Sequence, residues 1–119
     1  MLKSMNLKMK PKVDALLKQV EIELIKFLGD KLKKITLYGS YSRGDYDIES
    51  DIDIFALVDE SHPEEKFKEQ ILDIMVNLSL EFDLVLSIFM ENAKEYEEEK
   101  NVIPLFKNIE REGIEIYAA

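Results

Sequence analysis

Two short motifs in this chain hold the residues whose types and spacing could do chemistry. The first is a glycine turn, Gly39-Ser40-Tyr41-Ser42-Arg43-Gly44, and the second, a few residues later, is Asp51-Ile52-Asp53. In a strand Asp51 and Asp53 would share one face, because successive side chains point to opposite faces. Two adjacent carboxylates repel each other, and the simplest way to offset this repulsion is a divalent cation bound between them. Backbone N–H groups and a hydroxyl at the glycine turn could hold phosphate, so together the motifs indicate nucleotide chemistry.

A third carboxylate, Asp83, stands near the start of residues 82–89, which we predict to be a strand. If that strand pairs beside the strand of Asp51 and Asp53, the three carboxylates meet at one edge of the sheet. With substrate phosphates and water as the remaining ligands, three carboxylates would suffice for two magnesium ions. The single histidine, His62, lies before a proline in a polar turn and excludes a histidine-based metal cluster.

These residues also have ordinary structural interpretations, which the sequence leaves open. Gly39 could simply end a strand, and Ser40 could cap a turn. Arg43 could pair on the surface with the acidic residues that follow it. Asp51 and Asp53 could lie on the solvated face of an antiparallel strand. The functional interpretation is favoured because the two motifs occur together, at the ends of adjacent predicted strands.

The elements that must position these residues follow from the apolar pattern. Apolar side chains recur at three- and four-residue spacing over residues 11–29 and 64–80, which predicts two amphipathic helices. Besides 82–89, residues 35–38 and 51–58 are predicted strands, 91–100 and 104–112 are predicted helices, and 114–117 a short strand or extended tail. The predicted order is helix, strand, strand, helix, strand, one or two helices and an optional last strand.

This order predicts an α/β (α+β) fold, a small mixed sheet with helices packed mainly on one face. Packing both amphipathic helices on the same face would bury both apolar stripes. Asp51 and Asp53 would then point to the other face, which we expect to be the site. At 119 residues the chain, 1–119, is expected to be one domain.

Composition narrows the function classes. A net charge of −9 argues against direct binding of nucleic acid, which requires a cationic surface. The sequence has no apolar run of about 18 residues, so we expect no membrane span. It has no cysteine, and we expect a cytoplasmic protein. The acidic residues between 91 and 99 are best explained as a solvated surface, with a partner-binding surface as the alternative.

The pattern Gly39-Ser40-x-x-Arg43-Gly44, then Ser50-Asp51-x-Asp53, then Asp83 closely resembles the minimal nucleotidyltransferases of the polymerase-beta-like superfamily. Those proteins are the small antitoxin partners of HEPN toxins in two-gene modules. The resemblance covers roughly residues 37–85. It implies a polymerase-beta-like fold and adenylyl transfer from ATP, with Asp51 and Asp53 as ligands of two Mg²⁺ ions. Asp83 would be the third carboxylate of the metal site, polarising the attacking hydroxyl.

The leading functional hypothesis is therefore an adenylyltransferase that moves AMP from Mg-ATP to a hydroxyl of a HEPN toxin, with tyrosine favoured as the acceptor. Gly39, Ser40 and Arg43 would bind the nucleotide phosphates. Few residues follow Asp83, which favours an acceptor presented by another protein over an enclosed small molecule. Two alternatives remain: a non-catalytic antitoxin that occludes its partner, and a nucleotidyltransferase that acts on a small molecule. The sequence leaves a homo- or hetero-oligomer open.

Overall fold

The computed structural model describes residues 11–44 and 51–119. Residues 1–10 and 45–50 lie outside the described residues, and the second range contains the acidic sequence 45–49 that follows the glycine turn. The described elements, in chain order, are α1 Pro11–Leu28, β1 Leu32–Tyr38, α2 Ser40–Arg43, β2 Ile52–Val58, α3 Pro63–Lys66, α4 Lys68–Phe82, β3 Leu86–Asn92, α5 Ala93–Glu99, α6 Pro104–Glu112 and β4 Ile114–Ala118. Among these helices none is both long and apolar enough to cross a membrane.

The strands of the described residues form one mixed sheet in the order β3-β2-β1-β4. Strand β1 is antiparallel to both β2 and β4, whereas β2 and β3 are parallel. The parallel pair is joined by the crossover through α3 and α4, as parallel strands require. This register sets Tyr38 on β1 and Ser87 on β3 on either side of Asp53 on β2. The predicted α+β class and element order are confirmed.

Helices α1 and α4 cover one face of the sheet, as the apolar periodicity predicts. The fully buried side chains of α1, Leu16, Leu17, Val20 and Leu24, belong to one core with Ile52, Ile54 and other strand residues that share their face. Helix α4 contributes Ile71 and Leu78 to the same core. Ile52 and Ile54 of β2 point into this core, so Asp53, which lies between them in the strand, points to the opposite face.

The opposite face has a second, smaller core. Phe55 is 1% exposed, and its ring lies 5.3 Å from the ring of Tyr96 on α5 and 5.6 Å from that of Phe106 on α6. Leu57 and Ile109 complete this cluster. The two C-terminal helices are needed because Phe55 and Leu57 follow Asp53 on its own face of β2. The face of the aspartates is therefore open only in part.

The predicted strand 82–89 is wrong at its start. Phe82 is the last residue of α4, and Asp83 ends that helix in the left-handed conformation, with φ 54° and ψ 46°. The amide of Asp83 donates to the Ser79 carbonyl, as does the amide of Leu84 at 3.2 Å. Strand β3 begins only at Leu86. In sequence, an apolar run that follows a helix is easily read as a strand. Here its first residues end helix α4 instead, and those that follow lead the chain back to the sheet.

Candidate active site

The glycine turn is a tight connection between β1 and the four-residue helix α2. Gly39 has φ 79° and ψ −156°, a combination that is essentially restricted to glycine. Its carbonyl accepts hydrogen bonds from the Ser42 hydroxyl at 2.8 Å and from the amides of Ser42 and Arg43 at 3.1 and 3.2 Å. Gly44 ends the turn at φ 84°, and its amide donates to the Ser40 carbonyl at 2.9 Å. The turn thus has a fixed shape at the end of β1.

Asp53 and Gly39 are in direct contact across β1 and β2. A Cβ atom placed on Gly39 would lie 2.5 Å from Oδ2 of Asp53, closer than two unbonded atoms allow. Asp53 is half-buried, whereas Asp51, which precedes β2, is exposed. The structure therefore joins the phosphate-binding and metal-binding motifs predicted from sequence into one unit, and only glycine leaves room for the carboxylate.

The electrostatics of this unit leave an excess of negative charge. Burial raises the pKa of Asp53, the charge of Asp51 raises it further, and Arg43 lowers it. The pKa of Tyr38, opposite Asp53, is also raised, by burial and then by the Asp53 charge. Since Arg43 does not cancel the other two effects, the ionised Asp53 lacks full compensation from the protein. A bound cation would provide it.

Arg43 links the glycine turn to the C-terminal helix α6. Its guanidinium lies 3.6 Å from a carboxylate oxygen of Glu112, and both side chains are partly exposed. The two residues border a cleft of about 190 Å³ that is also lined by Tyr38, Gly39 and Asn108. Asn108 and Glu112 are not among the residues predicted from sequence. They are ordinary polar positions of an amphipathic helix, and only the packing of α6 against β1 brings them to this cleft.

The structure does not bring Asp83 to the other two aspartates. In the parallel register Ser87 pairs with Asp53, and the amide of Ile52 donates to the Val85 carbonyl at 2.8 Å. Asp83 precedes Val85 and is separated from the strand by the left-handed turn that ends α4. Within residues 11–44 and 51–119, which contain all three aspartates, no group of three or more potential metal-ligating side chains is found. Among the described residues, the structure therefore does not place Asp83 in one cluster with Asp51 and Asp53.

The residues present fit a cation that is shared with a nucleotide. Magnesium is commonly held by one or two carboxylates together with substrate phosphates and water. Asp51 and Asp53 supply two carboxylates on one side of the glycine turn, and the contact between Gly39 and Asp53 allows a phosphate and a cation to be neighbours. A site built entirely from protein ligands does not fit the described residues, which place no third carboxylate beside Asp51 and Asp53.

A glycine turn, followed by one aspartate just before the next strand and one within it, in a mixed sheet, is the arrangement that the motifs predict for a nucleotidyltransferase of the polymerase-beta-like class. The chain belongs to the nucleotidyltransferase domain family, whose model matches residues 17–115. A Methanocaldococcus jannaschii protein is 42% identical over 72 residues, which are 60% of this chain and 72% of that protein. A second protein from the same organism is 32% identical over 87 residues, 73% of this chain and 80% of that protein. Both bear the name "Putative protein adenylyltransferase". The resemblance to nucleotidyltransferases that the motifs indicate is confirmed.

Solved structures show the same fold. A toxin–antitoxin crystal structure with AMP-PNP matches with a TM-score of 0.58 and 21% identity, over 86% of this chain and 73% of that chain. The complex of a tri-AMPylated Shewanella oneidensis HEPN toxin with an MNT antitoxin matches with a TM-score of 0.52 and 19% identity, over 88% and 72%. At these identities the likeness establishes the fold, and the polymerase-beta-like fold expected from sequence is confirmed.

Proposed function

We propose that this protein transfers AMP from Mg-ATP to a hydroxyl group of a partner protein. The observation that carries the proposal is the contact between Gly39 and Asp53, which places the turn predicted to bind phosphate against the carboxylate predicted to bind a cation. The names of the two Methanocaldococcus jannaschii relatives support a protein as the acceptor. Because the site faces outward at the start of β2, an acceptor on another protein can approach it.

Each of the predicted site residues would have a separate role in AMP transfer. Asp51 and Asp53 would hold the magnesium ions, which neutralise phosphate charge and make the α-phosphorus more electrophilic. Gly39, Ser40 and Arg43 would bind the phosphates that leave as pyrophosphate. The acceptor oxygen forms a bond to the α-phosphorus while the bond to the bridging pyrophosphate oxygen breaks. The proton of the acceptor hydroxyl passes to the carboxylate of Asp53.

We further propose that the acceptor is a HEPN toxin, modified on a tyrosine hydroxyl and thereby silenced, so that this chain is its cytoplasmic antitoxin. The proposal is supported by the fold shared with toxin–antitoxin complexes, one of which contains a tri-AMPylated HEPN toxin. One observation favours a second candidate. Within residues 11–44 and 51–119 no third carboxylate joins Asp51 and Asp53, an arrangement that an antitoxin acting only by occlusion of its partner would tolerate.

The chain is incubated with magnesium, α-labelled ATP and the product of the neighbouring gene, which we expect to be a HEPN protein, and that product is then analysed by intact mass. We expect covalent AMP on the partner with the wild-type chain and none with Asp53→Asn. Ser61→Ala, in an exposed turn away from the site, is the matched control and should transfer AMP normally. Neutralisation of the toxin by an Asp51→Asn, Asp53→Asn variant, with no AMP ever detected, would instead establish occlusion.

A further inference from the structure

The strand beside the aspartates presents a serine where a third carboxylate was expected. Ser87 pairs with Asp53 in the parallel ladder, and paired residues of adjacent strands point to the same face, about 4.8 Å apart. The next pair along the same face confirms this direction, because the rings of Phe55 and Phe89 lie 5.5 Å apart. Leu86 and Ile88 are buried in the core on the other face. The Ser87 side chain therefore lies beside Asp53.

Asp53 has different neighbours on its β1 side and on its β3 side. On the β1 side it contacts Gly39, where the pyrophosphate would be bound. In-line displacement requires the attacking oxygen to approach the α-phosphorus from the side opposite the leaving group. If pyrophosphate leaves over the glycine turn, the acceptor hydroxyl must enter over β3. The side chains that β3 presents to this face near the aspartates are those of Ser87 and Phe89, and Ser87 is the polar one of the two.

We infer that Ser87 forms a hydrogen bond with the attacking hydroxyl, a role that a third carboxylate would otherwise have. This inference rests on the proposed function. A serine hydroxyl can accept one hydrogen bond while donating another. Ser87 would accept the proton of the acceptor hydroxyl and release its own proton to the Asp53 carboxylate. The acceptor oxygen gains its bond to phosphorus as pyrophosphate leaves with the electrons of the broken bond. No third carboxylate is then needed, and the cation enters together with the nucleotide.

The first test measures AMP transfer by Ser87→Ala and Ser87→Thr, with Ser61→Ala as the matched serine-to-alanine control. Loss of the hydroxyl should lower kcat about tenfold or more while leaving KM for ATP unchanged, since only the acceptor side is affected. Ser87→Thr retains the hydroxyl and should keep most of the rate. Equal kcat values for Ser87→Ala and Ser61→Ala would overturn the inference.

The second test does not depend on transfer. Manganese binding without nucleotide is measured by electron paramagnetic resonance for wild type, Ser87→Ala and Ser87→Asp. Wild type and Ser87→Ala should bind equally weakly, whereas Ser87→Asp, which adds the missing carboxylate beside Asp53, should bind about tenfold or more tightly. Unchanged binding by Ser87→Asp would show that residue 87 does not face the ion and would overturn the inference.

The two tests separate this inference from the function it rests on. A wild-type chain that transfers AMP, with Ser87→Ala unimpaired, leaves the proposed function standing and removes Ser87 from it. A wild-type chain that transfers no AMP overturns the proposed function, and the role of Ser87 in proton transfer falls with it. In that case tighter manganese binding by Ser87→Asp still establishes that positions 53 and 87 face one another.

Discussion

Replacing Gly39 with alanine should damage stability and activity together. Its backbone, with φ 79° and ψ −156°, lies in a region where a side chain costs about 1–3 kcal/mol. The new methyl group would also lie 2.5 Å from Oδ2 of Asp53, so the carboxylate must move. We expect Gly39→Ala to lower the free energy of unfolding by roughly 3 kcal/mol, from strain and this clash together. A displaced Asp53 should reduce AMP transfer by about 100-fold.

The chain offers a matched control in the same turn. Gly44 also has a positive φ, 84°, but a Cβ atom there would meet nothing within 4 Å. Gly44→Ala should therefore cost only the left-handed backbone penalty, about 1–2 kcal/mol. Comparing the two variants by urea denaturation separates the contact with Asp53 from the general cost of a side chain at positive φ.

A double-mutant cycle completes the test. Asp53→Ala removes the atoms that a methyl group at residue 39 would strike, so the Gly39→Ala, Asp53→Ala double variant should be more stable than additivity predicts, by about 1 kcal/mol. Additive effects, or a Gly39→Ala variant no less stable than Gly44→Ala, would refute the argument that the turn and the carboxylate form one unit.

Three further predictions follow from the described contacts. Asp83→Asn should keep most of the AMP transfer rate. Asp83→Gly should raise the free energy of unfolding, measured by urea titration, by about 0.5 kcal/mol, because residue 83 has a φ of 54°, which glycine adopts more easily than aspartate. Burial and three neighbouring glutamates raise the pKa of Glu91 above its ordinary value of 4.5. Wild type should therefore gain stability as pH falls through that raised pKa, and Glu91→Gln should be more stable than wild type at pH 7 but not below about pH 4.5. Arg43→Ala should raise KM for ATP in transfer assays while changing the free energy of unfolding by under about 1 kcal/mol, since both side chains of its pair with Glu112 are partly exposed.

The part of the site that could be predicted from sequence is the part that depends on local pattern. Asp51 and Asp53 were expected on one face because the period of a strand is two, and the buried Ile52 and Ile54 fix that face. Gly39 was expected to turn the chain at the end of a strand. Their contact follows once the strands pair as neighbours, and antiparallel pairing of consecutive strands is common in small sheets.

The position of Asp83 could not be predicted in the same way. Phe82, Leu84 and Val85 are apolar, and an apolar run of this length fits a strand or the end of a buried helix equally well. The two outcomes are separated by the capping of the Ser79 carbonyl and by the register of β3, both of which depend on tertiary packing. The role of α6 is likewise a long-range consequence, because Asn108 and Glu112 approach the glycine turn only through the second core.

The second core determines where on β2 the candidate site lies, because it covers one part of this strand and leaves the start of the strand open to solvent. Asp53 and Phe55 are consecutive residues on one face, yet Phe55 is sealed by Tyr96 and Phe106 while Asp53 remains partly open to solvent. The carboxylate thus lies at the border between a dry aromatic cluster and water. Its partial burial raises its pKa and so disfavours the ionised form, which a nearby cation would stabilise. At such a border a cation and phosphate can enter from solvent and still interact in a medium of lower dielectric than water, where their attraction is stronger. The C-terminal helices carry none of the predicted catalytic residues, but through this border they would contribute to the proposed role of the aspartates.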